Sequence, residues 1–573
     1  MNRLDFYTSI TPSTRQLEIQ SLGFYAFLHF GMNTFLDKEW SDGKASPSLF
    51  CPTQLDTDQW VRALRNAGMR GAILTAKHHD GFCLWPSKLT NYTVALSPYR
   101  NGKGDIVGEL SRSCAKYGLK FGIYLSPWDR HDERYGTPAY DEFYVGQLTE
   151  LLTQYGEIFT VWLDGACGTY LDGKPKQAYD FDRYYETIRL LQPGCIISNC
   201  GPDVRWIGNE SGITRRSEWN VVPRFAYDIQ TIENNSQQAD DPAFRKKGAD
   251  IAYSDLGSRR ALEGHDELIW YPAEADVSIR PGWFFHQKEN GRVRSIDNLL
   301  HLYYSTVGGN TLLLLNIPPD QRGLIHEKDA ARLAELGRRL RSAFSHQVLF
   351  ERITAPEGKE GFFIKNCLRP DESCYSPLVQ AERYTVLLDF KRESLIDKIV
   401  LQEDTRYSQR VEAFTIEVLS GSRWKQIYSG TVIGFSKIAR FRPILTQKLK
   451  ITITACRKEP YLRTIQVFES DGTEVKTPKT LWLRKKAEEL NYRLFIYAEN
   501  HKATSKSTQY HNESSVMGSF LLSSHEKIIK IRKAPFFCFA IRHKFCKGLS
   551  IMSGEPFPPA GGQAQLLQSV VCQ

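Results

Sequence analysis

Between Tyr25 and Phe344 the sequence alternates short apolar runs with amphipathic segments. The apolar runs have the length and the β-branched content of buried strands, and they lie at 25–31, 71–79, 120–126, 158–165, 195–198 and 311–319. Helical patterns lie between and after these runs, at 57–67, 105–117, 141–155 and 327–344. The first three are each followed by a glycine, the usual end signal of a helix. Alternating strands and helices predict a parallel sheet, and about 320 residues favour a (β/α)8-type barrel with insertions over an open sheet.

The pattern changes after the closing helix. Short β-rich runs separated by polar turns occupy 346–470 and predict a C-terminal β-sandwich. We therefore expect an α/β barrel over 1–345, a β-sandwich over 346–470, and a tail over 471–573. The tail is basic, matches neither preceding pattern, and is expected to be poorly ordered and without function.

Charge and composition exclude several classes of protein. The net charge is +9, but residues 471–573 hold 15 Lys and Arg against 8 Asp and Glu, so the body is close to neutral and a nucleic-acid groove is not indicated. We find no apolar run near the ~20 residues of a membrane span and no signal peptide, so we expect no membrane partner, and either a cytosolic protein or one whose targeting segment lies outside this chain. The 12 cysteines show no CxxC or zinc spacing.

Asp164 stands where the apolar run 158–163 ends, directly before Gly165. Side chains at the carboxyl ends of barrel strands face the loops where barrel enzymes carry out chemistry, so we interpret Asp164 as a nucleophile. An aspartate in this position could instead cap a helix or close a turn. Its companions decide between these interpretations.

Histidines, tryptophans and acids cluster at the other predicted strand ends. Each alone is more often a core residue, but their convergence indicates a pocket, and aromatic rings suit stacking against sugars. The candidates are His29, Glu39, Trp40, His78, His79 and Trp128.

The pair His78 and His79 could suggest a metal site. Adjacent residues on a strand point to opposite faces, whereas metal pairs need a spacing that returns both ligands to one side. We therefore expect a hydrogen-bonding clamp for sugar hydroxyls, with no metal and no other cofactor.

Hydrolysis of a glycoside with retention needs two carboxyl groups roughly 5–5.5 Å apart. Asp164 supplies one of them. Glu210 lies among small, flexible residues in the polar segment 201–212, but spacing alone does not choose it over Glu218 or Glu274.

Several segments resemble the α-L-fucosidase family of retaining glycoside hydrolases. They are His29-Phe30-Gly31-Met32-Asn33-Thr34-Phe35, Glu39-Trp40, Lys77-His78-His79-Asp80-Gly81-Phe82, Trp162-Leu163-Asp164-Gly165 and Leu315-Asn316-Ile317-Pro318-Pro319. The resemblance implies a barrel followed by a galactose-binding-like β-sandwich and makes Asp164 the nucleophile. It also implies that fucose is held by His29, His78, His79, Glu39 and Trp40, with Trp128 as a wall.

Two further segments, 208–210 and 274–283, look like the subgroup of that family that acts on α-(1→3)- and α-(1→4)-linked fucose. The resemblance implies that Glu210 is the acid/base and adds Trp283 to the substrate-binding residues. The expected substrate is a fucosylated oligosaccharide or glycoprotein glycan. The family also leaves secreted, periplasmic or lysosomal-type compartments open.

Two alternatives to this enzyme remain at this point. One is a catalytically inactive, lectin-like protein that binds fucose. The other is a metal-dependent hydrolase that uses His78 and His79.

Overall fold

A closed barrel of eight parallel strands forms the first part of the chain. The computed structural model describes residues 2–168, 176–227, 255–369, 371 and 373–472. The barrel strands follow the order β1-β10-β9-β6-β5-β4-β3-β2 around the ring. They are β1 (Phe24–Leu28), β2 (Gly71–Lys77), β3 (Lys120–Leu125), β4 (Thr160–Leu163), β5 (Ile196–Asn199), β6 (Val204–Trp206), β9 (Ala273–Ser278) and β10 (Leu312–Asn316).

The helices begin and end where local chemistry places their caps. Asp56 and Asp105 accept backbone N–H bonds at the starts of α4 and α5, and Gly68 and Gly118 end these helices in the left-handed conformation. The helices are α1 (Arg3–Ser9), α2 (Thr14–Leu22), α3 (Met32–Leu36), α4 (Thr57–Ala67), α5 (Ile106–Tyr117), α6 (Ala139–Gln154), α7 (Phe181–Leu191), α8 (Arg259–Leu262), α9 (Ile296–Thr306) and α10 (Glu327–Ala343). A two-stranded antiparallel sheet, β7 (Val221–Pro223) with β8 (Leu268–Trp270), lies outside the barrel.

Inward side chains on alternate strand positions fill the barrel. Phe27, Tyr124 and Trp162 belong to one buried cluster together with Ile73 and Leu314. Because strand side chains alternate in direction, the residue two positions after each of these faces the same way. His29, Ser126 and Asp164 therefore continue the inward faces to the open end.

Antiparallel strands follow the barrel. They are β11 (Phe350–Thr354), β12 (Tyr384–Glu403), β13 (Val411–Ser420), β14 (Arg423–Gly430), β15 (Lys437–Cys456) and β16 (Leu462–Glu469). Register shifts divide β12 and β15 into halves, and one apolar core takes side chains from both halves of β12, such as Leu388 and Leu401. The strands thus fold over one core, and the barrel followed by an antiparallel β domain confirms the predicted fold class.

Both parts lie in one compact unit. None of the helices in the described ranges combines the length and apolar composition that a membrane crossing requires. The predicted tail falls outside the described residues from position 473 onward.

Candidate active site

A pocket opens at the carboxyl ends of the barrel strands. Seven of the eight barrel strands present a residue of the strand or of the loop that follows it here, as barrel topology predicts. The lining residues are Phe27, His29, Trp40, His78, His79, Tyr124, Trp162, Asp164, Ala166, Asn199, Trp206, Glu210, Asp276 and Trp283.

Asp164 directly follows β4 and is held at both carboxylate oxygens. Its Oδ1 accepts a 2.8 Å hydrogen bond from the Ala166 N–H, and its Oδ2 accepts one of 3.0 Å from the Tyr124 hydroxyl. Burial raises the pKa of Asp164, while these two donors oppose that rise by favouring the ionised form. The carboxylate is therefore oriented and accessible, as nucleophilic attack requires.

Glu210 lies on the loop after β6, on the same pocket as Asp164. Asp276 of β9 also lines it, and its Oδ1 accepts a 2.6 Å hydrogen bond from the indole N–H of Trp206. Burial, followed by the charge of Glu210, holds the pKa of Asp276 well above its usual range. The neutral form of the Asp276 carboxyl group is thus favoured beside Glu210.

The hydrogen bonds of His79 assign its tautomer. The Ser126 hydroxyl donates to the Trp128 carbonyl at 2.7 Å, so Ser126 accepts from the Nδ1–H of His79 at 2.7 Å. Burial lowers the pKa of His79 well below its usual value and keeps the ring neutral. Its Nε2 therefore carries a lone pair, 3.8 Å from Oδ2 of Asp164.

His78 has the opposite tautomer. The Asn33 carbonyl oxygen accepts from the Ser41 hydroxyl at 2.6 Å, so the Asn33 amide N–H groups donate to the Glu39 carbonyl and to Nδ1 of His78. Burial also lowers the pKa of His78, and the neutral ring then has its proton on Nε2. Neighbouring rings that offer a donor and an acceptor complement sugar hydroxyls, which do both.

His29 is oriented by Asn316, the last residue of β10. The Asn316 amide donates to Ser278 and to the Trp283 carbonyl, so its oxygen accepts from Nδ1–H of His29 at 2.9 Å. The same asparagine thus aligns the His29 ring and the backbone of Trp283, whose ring centroid lies 5.1 Å from that of His29.

Glu39 and Trp128 lie behind the pocket wall rather than among its lining residues. The Glu39 carboxylate accepts the N–H groups of Trp283 and Phe284 and bonds Nε2 of His286, whose pKa it raises. Trp128 packs edge to face against Trp40 with ring centroids 5.0 Å apart. Both residues support aromatic side chains that do line the pocket.

Glu218 and Glu274, the other candidates for the second carboxyl group, are not among the lining residues. Glu218 is buried in an ion pair with Arg205, and Arg215 lies 3.5 Å from its Oε2. Glu274 is buried below the pocket, where it accepts bonds from the Tyr25 hydroxyl and the Trp162 indole, and burial raises its pKa to about 7.

The prediction that His78 and His79 point to opposite faces is wrong. Strand β2 ends at Lys77, so both rings lie on the following turn and line the pocket, with centroids 4.1 Å apart. Among the described residues, no group of three or more His, Cys, Asp or Glu side chains is arranged to hold a metal ion.

Sequence reasoning missed half of the lining residues. Phe27 and Trp162 precede the candidates His29 and Asp164 by two residues, so strand alternation could have identified them, whereas Tyr124 precedes Ser126, which was not a candidate. Asp276 and Trp206 lie on strands that were not predicted, and Asn199 is the last residue of β5.

Comparison with known proteins places the chain in a family. The family model for alpha-L-fucosidase matches residues 28–343. The chain is 38% identical over 491 residues to alpha-L-fucosidase 1 of Arabidopsis thaliana, which covers 83% of this chain and 92% of that protein.

Solved structures agree. A GH29 fucosidase of Ruminococcus gnavus in complex with fucose is 29% identical, with a TM-score of 0.70 over 81% of this chain and 96% of that one. A glycoside hydrolase 29 family member from a rumen bacterium is 34% identical, with a TM-score of 0.66 over 82% of this chain and 79% of that one. The chain belongs to the alpha-L-fucosidase family of glycoside hydrolases.

Proposed function

We propose that this α-L-fucosidase releases terminal fucose with retention of configuration, with Asp164 as nucleophile and Glu210 as acid/base. The observation that carries the proposal is that both carboxyl groups line one pocket together with histidines and aromatic rings. That combination of a charged nucleophile, an acid and apolar walls suits a pyranose with one methyl group.

The reaction has two steps. In the first, a carboxylate oxygen of Asp164 forms a bond to C1 of fucose while the bond from C1 to the leaving oxygen breaks, and Glu210 gives that oxygen its proton. In the second, Glu210 takes a proton from water, whose oxygen bonds to C1 and releases Asp164. Free fucose leaves with the anomeric configuration of the substrate.

Binding is proposed for the side chains around the nucleophile. Fucose hydroxyls bond His29, His78 and His79, and the rings of Trp40 and Trp283 pack against the apolar faces of the sugar. Glu39 and Trp128, which do not line the pocket, act indirectly by holding the Trp283 backbone and the Trp40 ring in place. Their contacts with Trp283 and Trp40 support this assignment.

The proposed substrates are α-(1→3)- and α-(1→4)-linked fucose branches on oligosaccharides or glycoprotein glycans. Support comes from the segments 208–210 and 274–283, which place Glu210 and Asp276 on the pocket. Trisaccharides that carry branch-linked or α-(1→2)-linked fucose are compared by following free fucose, with and without EDTA.

The expected result is rapid, chelator-insensitive release from the branch-linked substrate, with the retained anomer forming first in proton NMR spectra. Absence of release would support the lectin-like alternative, and loss of release in EDTA would support the metal-dependent one. Asp164→Ala should be inactive. Added azide should partly restore aryl fucoside hydrolysis by Glu210→Ala, but not by variants of Glu218 or Glu274.

A further inference from the structure

The loop that carries Glu210 is closed at its base by a buried ion pair. Arg205, on β6 before the loop, donates to the carboxylate of Glu218 after the loop, and also to the Trp219 carbonyl at 3.2 Å. Arg215, within the loop, donates to the Ile207 carbonyl at 3.4 Å. The position of residue 218 therefore sets where the loop returns to the barrel wall.

The backbone at Glu218 is held in turn by two buried amide side chains. Its carbonyl accepts 2.8 Å from the amide of Asn310, in the turn before β10, and 3.2 Å from the amide of Gln409. Both amides are fully buried, at 0% exposure, so neither can exchange these bonds for water. Gln409 belongs to the C-terminal β domain, not to the barrel.

The C-terminal β domain makes three more contacts with the segment 216–220. The side-chain oxygen of Gln409 accepts a 2.9 Å hydrogen bond from the Asn220 backbone N–H, and the Thr431 hydroxyl donates to the Arg216 carbonyl at 3.1 Å. The guanidinium of Arg457 lies 3.9 Å from the centroid of the Trp219 ring. Arg216 and residues 218–220, on the far side of the Glu210 loop, thus all contact the same domain.

Glu403 joins the two loops of the β domain that make these contacts. Its Oε1 accepts the N–H groups of Arg410 and Val411 at 2.8 and 2.9 Å, next to Gln409. Its Oε2 accepts the Gly434 N–H at 2.7 Å, beside Phe435, whose own N–H donates to Asn310. One buried carboxyl group therefore fixes both loops relative to each other.

We infer that the C-terminal β domain is the positioning element for the Glu210 loop, acting through the bonds of Gln409 and Thr431 to segment 216–220. The inference rests on the proposed acid/base role of Glu210. An acid must lie within hydrogen-bond reach of the leaving oxygen, so a small displacement of this loop slows protonation of a poor leaving group. Asp164, which follows β4, is not held by these bonds.

The test uses the full chain and two substrates, a fucosylated trisaccharide and an aryl fucoside whose phenolate leaves without protonation. Gln409→Met keeps the side-chain length but removes both of its hydrogen bonds, and Thr431→Val removes one bond at a more exposed position. Asn366→Ala is the matched control, because this buried amide bonds two carbonyls inside the β domain alone. Melting temperatures are recorded for every variant.

We expect Gln409→Met to lower kcat/KM for the trisaccharide by on the order of 10-fold and for the aryl fucoside by less than about 2-fold. Thr431→Val should give the same selectivity with a smaller loss. Asn366→Ala should change kcat/KM by the same factor for both substrates, even if its melting temperature falls as far as that of Gln409→Met.

Glu210→Ala in the same assay distinguishes a failure of the acid/base role of Glu210 from a failure of the positioning role of the β domain. If Glu210→Ala lowers kcat/KM equally for both substrates, the proposed acid/base role is wrong and the inference fails with it. If Glu210→Ala lowers kcat/KM more for the trisaccharide, but Gln409→Met and Thr431→Val each change kcat/KM equally for both substrates, only the positioning role is overturned.

Discussion

The hydroxyl of Tyr124 donates a 3.0 Å hydrogen bond to Oδ2 of Asp164 across two neighbouring barrel strands. Parallel pairing sets Tyr124 of β3 beside Trp162 of β4, so the long tyrosine side chain reaches the residue that follows β4. A hydrogen bond to the carboxylate favours its ionised form and lowers its pKa against the effect of burial. Tyr124 therefore helps keep the proposed nucleophile charged.

Tyr124→Phe is expected to move the acidic limb of the kcat/KM profile to higher pH, because the pKa of Asp164 rises when this donor is lost. A bond to a charged group contributes about 1.5–3 kcal/mol, so kcat/KM on the acidic limb should fall roughly 10- to 100-fold. Tyr144→Phe is the control, since its buried hydroxyl donates to the Leu125 carbonyl instead. An unmoved acidic limb in Tyr124→Phe would contradict the assignment.

Glu218→Gln should lower stability rather than remove an acid. The substitution leaves Arg205 and Arg215 facing a neutral amide in a buried site, and breaking a buried pair costs about 3–5 kcal/mol. Denaturant unfolding measures the loss. Residual activity should not respond to azide, and azide rescue in a variant of normal stability would return the acid/base role to Glu218.

Ser126→Ala should weaken fucose binding. Without the serine oxygen, Nδ1 of His79 loses its acceptor, and the ring no longer keeps its Nε2 lone pair toward the pocket. One neutral hydrogen bond contributes about 1 kcal/mol, so the inhibition constant for free fucose should rise about fivefold. Ser113→Ala, which removes another buried hydroxyl far from the pocket, should leave that constant unchanged. Equal constants for both variants would exclude the assigned tautomer.

Glu274→Gln should change how stability depends on pH. Burial raises the pKa of Glu274 from 4.5 to about 7, so the unfolded chain releases this proton first and the wild type loses stability as pH rises between these values. Across that pH window, the free energy of unfolding of the wild type should fall by up to about 3 kcal/mol relative to that of the variant. Unfolding curves at several pH values measure it, and parallel pH profiles would contradict the shifted pKa.

Sequence patterns were sufficient where a strand is apolar and were insufficient where it carries buried polar groups. Strands β2 and β3 follow their apolar runs to within two residues, but β6 and β9 were not predicted. Strand β9 alternates Ala273, Ala275 and Val277 with inward polar residues such as Glu274 and Asp276, so it lacks a continuous apolar run although all six residues are buried. Buried acids thus interrupt the apolar pattern of the strand that carries them.

The residues of the candidate site also differ in whether a local sequence pattern predicts them. His29 and Asp164 could be predicted because a polar residue after an apolar run is a local signal. The support of Glu218 by Gln409 joins residues 191 positions apart, and no local pattern contains that information. Only the packed chain brings the β domain to the Glu210 loop.

Identification of the residue that becomes covalently linked to the sugar tests the account most directly. The enzyme is incubated with an activated 2-deoxy-2-fluoro-fucoside, digested, and its peptides are sequenced by mass spectrometry. We predict a single fluorofucosyl adduct on the peptide that contains Asp164, and on that side chain. An adduct on any other carboxylate, or inverted fucose released from normal substrates with no adduct formed, would contradict the account.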